Sequence, residues 1–491
     1  MKRGIACRVR VKRCNYCCVI ENGISPLPIF YSPVFYTEVS MSYTAAINEL
    51  NAMVPELFTK PGHARRKFSL DEIRVLLKAL EDPQTQFPSV LIAGTNGKGS
   101  TASTLASILT ESGVRTGLYT SPHLERVNER IRVDRGEISD DDFARRYFAV
   151  HDVAQNLVLS GKLEQLPSFF ETLTAMAFLH FAEAGVEIAV LEVGMGGRLD
   201  ATNIVDPLFS IVTDISLDHM EWLGTTIAEI TREKAGILRR GGTLVTLPQH
   251  PEANQALGEV AADLDVRGVS ATAYMPPLGL RPGDSYAVEA LGTSVEVASP
   301  LIGAHQHRNV ALAVAAAVEL AQKHGFPVTP GAIEAGIRRT SWPGRLERVR
   351  RGGIEWILDV AHNPAGAWAL RAGLREILEQ GEPAARPRTL IFSCLRDKPL
   401  AELAQILFPL FDEVIFAPIH SARAATLEDL MAAAEATGAA SVAARSVEAA
   451  LEMAKQRADG GVVVISGSVY LVGEARGLIL QQVKQNKEVI L

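Results

Sequence analysis

An apolar run, Val90 to Ala93, leads into Gly94-Thr95-Asn96-Gly97-Lys98-Gly99-Ser100-Thr101 and then into a stretch with helical apolar periodicity. Small residues at a strand-to-helix turn let successive backbone N–H groups curl around phosphate oxygens, and the helix N-terminus adds partial positive charge. Lys98 supplies a cation for β/γ-phosphates, and a hydroxyl in the same turn can face Mg²⁺. A Gly-rich turn by itself would serve a dinucleotide as well, but a lysine and a hydroxyl inside it favour a nucleoside triphosphate. The spacing departs from G-x4-GK[ST], because the first glycine sits closer and Gly99 precedes Ser100.

A triphosphate needs a metal, which directs attention to acids and imidazoles at neighbouring strand ends. Glu192 closes the run Ile-Ala-Val-Leu-Glu ahead of Gly194-Met-Gly-Gly197, and Asp214, Asp218 and His219 follow another apolar run. Ligands in open α/β sheets collect at the C-terminal ends of strands, and hard oxygen ligands suit Mg²⁺. No GxSxG or other nucleophile motif accompanies them.

These residues need a scaffold, and after residue 85 short β-branched runs alternate with longer Ala/Leu-rich helical patterns. That alternation predicts an α/β fold with a mainly parallel sheet covered by helices. Strands are expected at Val90–Ala93, Gly117–Thr120, Ile188–Glu192, Phe209–Asp214 and Thr243–Leu247, with helices at Ser100–Ser112 and Thr226–Leu238. Residues 265–300 read as a small antiparallel excursion, with strands at Ser285–Val288 and Ser294–Val297. A long helix, Asn309–His324, is followed by the loop Ser341–Arg345, after which a second βα series begins. Its strands are expected at Trp356–Asp359, Leu390–Ser393, Val414–Phe416 and Val462–Ser466. The boundary near 345 divides a larger domain, 42–345, from a smaller one, 346–491.

The chain's 491 residues accommodate two or three domains. With 47% hydrophobic and 21% charged residues, neither a disordered nor a coiled-coil chain is supported. No apolar run approaches the roughly 18–20 residues of a membrane span, and a net charge of −7 argues against bulk nucleic-acid binding. Residues 1–40 stand apart, holding six basic residues, two acids and four of the five cysteines (Cys7, Cys14, Cys17, Cys18). Pro26, Pro28 and Pro33 break any targeting segment there, and adjacent Cys17 and Cys18 fit a zinc site badly. Residues 1–41 therefore read as an unstructured tail or an upstream extension of the reading frame, with Met41 as the start. The remaining chain, with Cys394 alone, fits a reducing cytoplasm.

Ten segments in order carry a family resemblance: GTNGKGST (94–101), TSPHL (120–124), SFFE (168–171), LEVGMGGRLDATN (191–203), DHMEWLG (218–224), REKAGI (232–237), HQHRN (305–309), WPGR (342–345), AHNP (361–364) and SGSVYLVGE (466–474). From about residue 43 onward the chain resembles the dihydrofolate synthase/folylpolyglutamate synthase branch of the Mur-ligase-like amide ligases. The resemblance implies a P-loop N-terminal domain plus a smaller Rossmann-like domain. It implies ATP-dependent ligation of L-glutamate to dihydropteroate or a reduced folate through an acyl phosphate, by a monomer with no nucleic-acid or membrane partner.

Carried over by position, Thr95, Asn96, Gly97, Lys98, Gly99 and Ser100 resemble the family's phosphate-binding turn, and Asn309, Arg345 and Asp359 its other ATP contacts. Ser100, Ser121, Glu192 and His219 match its magnesium positions, two Mg²⁺ ions being implied. Phe169, Phe170 and Glu171, with Leu199, Asp200 and Ala201, match segments lining the pterin site, although the two phenylalanines would serve equally as core. Lys234 resembles a lysine carboxylated by CO₂; outside that context it would be a helix-surface lysine. Carbamate formation needs the neutral amine, so burial must lower its pKa from the unperturbed 10.4 or so. His362 would reach the γ-phosphate or the acyl-phosphate transition state, and Val360 stands where the family has glycine. His420, Ser421 and Arg423 follow another strand and are candidates to receive glutamate.

Two other functions compete. A cell-wall ligase acting on a UDP-linked muramyl peptide would carry a UDP-binding domain for which residues 42–88 are too few. A P-loop NTPase switch would have no need of Asp359 and His362.

Overall fold

A computed structural model describes residues 41–53, 69–280, 283–379, 387–458 and 461–488. The expected N-terminal tail lies outside them, except for Met41. The larger sheet contains β1 (Ser89–Ala93), β2 (Thr116–Tyr119), β3 (Ile131–Val133), β4 (Gly136–Glu137), β5 (Ile188–Glu192), β6 (Phe209–Val212), β7 (Thr243–Thr246) and β8 (Arg267–Ser270). Their order is β4-β3-β2-β5-β1-β6-β7-β8. The β4-β3-β2 end is antiparallel and the remaining pairs are parallel.

Alternation along the central strands splits the core between the two sheet faces. Val90 and Ile92 of β1 and Ile188 and Val190 of β5 join one hydrophobic cluster with the helices Lys98–Glu111, Ala304–His324 and Pro330–Arg338. Leu91, Ala93, Ala189 and Leu191 face the other cluster, under Asp140–Leu159 and Phe169–Glu183. With both faces covered, every residue of β1 and β5 is buried, which explains their apolar character between Ser89 at the start of β1 and Glu192 at the end of β5.

The excursion expected at 265–300 is smaller than the sequence suggests. β8 continues the main sheet, parallel to β7, and only β9 (Tyr286–Ala290) and β10 (Thr293–Val297) form an antiparallel hairpin. β8 is largely exposed and contains Gly268, so it lacks the apolar run that marks a buried strand. The long helix begins at Ala304, five residues before the expected Asn309.

The second sheet contains β11 (Glu347–Arg351), β12 (Ile354–Leu358), β13 (Arg388–Phe392), β14 (Glu413–Phe416), β15 (Ser441–Ala443) and β16 (Val462–Ser466), in the order β11-β12-β16-β13-β14-β15. β11, which the sequence reading lacked, runs antiparallel to β12 at the sheet edge, and the other pairs are parallel. Its sequence, Glu-Arg-Val-Arg-Arg, holds one apolar residue, as suits an edge strand. No helix among the described residues is long and apolar enough to cross a membrane.

Candidate active site

Strand register places the phosphate loop. β1 lies between β5 and β6, with Ile92 opposite Glu192 and Ala93 opposite Val212. The chain leaving β1 therefore emerges beside Glu192 on one side and Thr213–Asp214 on the other. The amides of Thr95 and Asn96 donate to the Asp214 carbonyl (2.9 and 3.2 Å), and Thr95 exchanges hydrogen bonds with the Ser216 backbone. Gly97 turns into the helix at φ +88°, where a Cβ would lie 2.1 Å from Asn309 Oδ1. Only glycine meets both demands. Lys98 Nζ folds back over the loop, donating to the carbonyls of Gly94 and Thr95 (3.1 and 3.2 Å).

Around the loop lies a cleft of about 310 Å³ lined from both lobes. Thr95, Asn96, Gly97, Lys98, Gly99, Ser100, Ser121, Glu192, His219, Lys234 and Asn309 meet there with Arg345, Asp359 and His362. Glu192 is 4% exposed and accepts a 3.0 Å hydrogen bond from the Ser121 amide. Burial raises its pKa against the pull of Lys98, Arg345 and Arg130. A buried carboxylate with one such bond, in a cleft that Ser100 and Ser121 also line, fits a hard divalent cation. His219 sits in the left-handed region (φ 51°), and burial, against the pull of Asp218 and with the aid of Lys398 and Lys234, lowers its pKa to about 4, leaving the imidazole neutral at pH 7. A neutral imidazole has a lone pair for a metal. Among the described residues no three His, Cys, Asp or Glu side chains converge as a ready-made metal cluster.

The other acids at these strand ends are engaged elsewhere. Asp214 takes a bidentate contact from Arg308, whose nitrogens lie 2.6–3.1 Å from its oxygens. Asp218 is held by Lys398 and Asn363 (2.6 and 3.1 Å). Lys398 was not singled out by the sequence reading, because a lysine between Asp397 and Pro399 has the local character of a surface turn.

Lys234 is buried rather than on the helix surface, and its Nζ donates to the Gly94 carbonyl (2.9 Å). Burial, then the charge of Lys98, lowers its pKa to about 7. Asp359 accepts from the Leu346 and Ala361 amides, both at 2.9 Å, leaving acceptor capacity on each oxygen. His362 Nδ1 contacts the Val360 carbonyl at 2.8 Å, and Nε2 lies 3.9 Å from Asp218. Val360 does not have positive φ; it packs in the core and its amide donates to the Gly344 carbonyl, so no glycine conformation is demanded there.

A second pocket, of about 130 Å³, is lined by Phe170, Glu171, Leu199, Asp200 and Ala201, with Met195 shared between it and the cleft. Glu171 also closes a capping box with Ser168, accepting its amide at 2.8 Å and donating its own to Ser168 Oγ at 3.2 Å. Asp200 ties down the glycine-rich loop, accepting from the Met195 amide (2.9 Å) and from the Thr202 amide and hydroxyl (3.0 and 2.6 Å). Phe169 does not line this pocket; the Arg130 guanidinium lies 5.2 Å from its ring centroid. Ser421 and Arg423 line neither cavity. Arg423 pairs with Asp397 (2.7 Å), and its amide donates to Ser421 Oγ.

A phosphate loop at the switch point of one sheet, closed by a second parallel-rich sheet, defines a ligase of the Mur class. The Mur ligase middle domain profile matches residues 92–317, and the Mur ligase, glutamate ligase domain profile matches residues 344–469. The folylpolyglutamate synthase of Lacticaseibacillus casei is 33% identical over 451 residues, covering 90% of this chain and 99% of that one. The dihydrofolate synthase/folylpolyglutamate synthase of Mycobacterium tuberculosis is 36% identical over 442 residues, 84% and 90% of the two chains. The chain belongs to the folylpolyglutamate synthase/dihydrofolate synthase family. Among solved structures, E. coli FolC in complex with DHPP and ADP superposes with a TM-score of 0.76 at 28% identity, covering 90% of this chain and 98% of that one.

Proposed function

We propose that this protein ligates L-glutamate to the carboxylate of dihydropteroate or a reduced folate at the expense of ATP. The observation that carries the reading is the adjacency of two cavities: the cleft around the phosphate loop and the pocket beside Phe170 both have Met195 in their lining. A flat heterocycle seated against Phe170 would extend its acid toward Lys98.

In the first step a carboxylate oxygen of the acceptor attacks the γ-phosphorus, and the bond to the β,γ-bridging oxygen breaks to release ADP. The glutamate amine then attacks the acyl carbon, the carbon–oxygen bond breaks, inorganic phosphate leaves, and the amine proton passes to a base. Both steps develop charge on phosphoryl oxygens, where donors fixed in advance help most. Lys98 and the amides at the start of the helix Lys98–Glu111 are those donors, those of Thr95 and Asn96 being taken by the Asp214 carbonyl, and Asn309, Arg345 and Asp359 hold the nucleoside. Ser100, Ser121, Glu192 and His219 would hold Mg²⁺, which when bound neutralises phosphate charge. Carboxylated, Lys234 would become an anion beside that site. His362, its Nδ1 occupied by Val360, offers Nε2 toward the reacting groups. Residues 42–345 and 346–491 act as the two closing bodies.

The test is ADP release with dihydropteroate or tetrahydrofolate, each with and without glutamate. Release that requires acceptor and glutamate together is expected; release indifferent to both would rule the ligase out. Turnover on an already glutamylated folate alone would remove the dihydropteroate activity.

A further inference from the structure

Lys398 lies at the end of the loop following β13, with its side chain 5% exposed. Its ammonium crosses from the smaller lobe to Asp218 Oδ1 in the larger one, at 2.6 Å, and that aspartate side chain is itself 10% exposed. The second oxygen of Asp218 accepts from Asn363 Nδ2 at 3.1 Å. Asn363 also donates to Asn96 Oδ1 in the phosphate loop (3.1 Å), while its own Oδ1 accepts from the Gly366 amide (2.8 Å). One carboxylate of the larger lobe therefore gathers two donors from the smaller lobe, and one of those donors follows His362 directly.

A buried ion pair is weak evidence for stability, since desolvation offsets most of the attraction, but it does specify geometry. Asp218 also lies in the lining of the phosphate cleft. Left unpaired by Lys398, its charge would repel the phosphates. Lys398 cancels that charge and fixes the distance between the lobes in one contact.

We infer that Lys398 is a positioning residue for ligation: by pairing with Asp218 it docks the 359–363 segment over the phosphate loop and sets His362 and Asp359 against Lys98 and Glu192. The inference rests on the ligase reading. Lys398→Met is expected to lower acceptor- and glutamate-dependent ADP release about a hundredfold, the scale of loss from an ångström-level misplacement of reacting groups. Dihydropteroate affinity should stay within about twofold, because residues of the larger lobe alone line that pocket. Small-angle scattering of the variant with ADP and both substrates should give a larger radius of gyration than wild type. In a cycle with Asp218→Asn, the double variant should be no worse than the poorer single one.

Turnover of Lys398→Met within about threefold of wild type, superimposable scattering, or losses that multiply in the double variant would each overturn the inference. If Lys398→Met does not fold, Lys398→Gln, which keeps a donor and drops the charge, is held to the same criteria. A wild type that never couples ADP release to acceptor and glutamate removes the ligase reading itself. A wild type that ligates beside an unimpaired Lys398→Met removes only the role of Lys398.

Discussion

Lys234 Nζ donates to the carbonyl of Gly94, 2.9 Å away and 140 positions earlier in the chain. The bond fastens the helix Ile227–Ala235 beneath the first residue of the phosphate loop. It also holds an amine out of water, which favours its neutral form.

With a pKa of about 7, roughly half of the Lys234 amine is free to add CO₂ near neutrality. Protein equilibrated with ¹³C-bicarbonate should show a carbamate resonance that grows from pH 6 to pH 8 and is missing in Lys234→Met. A spectrum without that signal at pH 8 would remove the carboxylation proposal.

The same burial gives a pH dependence of stability. Between about pH 7 and 10.5 the unfolded chain binds a proton at Lys234 that the folded chain largely excludes, so unfolding free energy rises with pH across that window. The penalty is fully present below pH 7 and gone above 10.5. His219, lowered to about 4, acts with the same sign between there and 6.5. Denaturant titrations should show the alkaline-side slope in wild type and its loss in Lys234→Met; equal slopes would contradict the depressed amine pKa.

Lys98→Ala should lower ligation at least about a hundredfold, the usual scale for losing one fixed donor to transition-state charge. Its ammonium bonds only to loop carbonyls among the hydrogen bonds described, so the unfolding midpoint should hardly move. Near-normal turnover would refute its role, and a large loss of stability would make it structural.

Gly473 lies in the helix Val469–Glu488, where alanine would normally gain about 1 kcal/mol from helix propensity. Here a Cβ would fall 1.8 Å from the Leu124 carbonyl oxygen of the larger lobe. Nearby, Arg476 reaches both Glu347 and Glu125, so this helix face is a second point of lobe contact. Gly473→Ala should therefore lower the melting temperature rather than raise it, and lose at least about tenfold in turnover, because the backbone of the other lobe must shift to admit the methyl group. A variant with undiminished turnover would show that this approach is dispensable.

Asp200→Ala should raise the acceptor KM well above its effect on the ATP KM. The carboxylate holds the amide of Met195, which lines both cavities, and an orphaned buried donor costs about 1–3 kcal/mol. Equal changes in both constants would show that the loop serves the nucleotide as much as the acceptor.

The local sequence determined the chemistry near each strand end. Val90–Ala93 running into Gly-Thr-Asn-Gly-Lys-Gly-Ser encodes a strand-to-helix turn of the kind that suits phosphate, and Glu192 at the end of an apolar run encodes an acid at a sheet rim. Weakly patterned edges such as β8 and β11 escaped that logic, since a half-exposed strand leaves little apolar periodicity. Only the tertiary structure decided which charges are free. Asp214 and Asp218 have the same local character as Glu192, yet Arg308 and Lys398 claim them from 94 and 180 residues away. Burial and pairing across such separations depend on how two sheets pack, and a side chain's neighbours in sequence carry no record of the partner it meets in space.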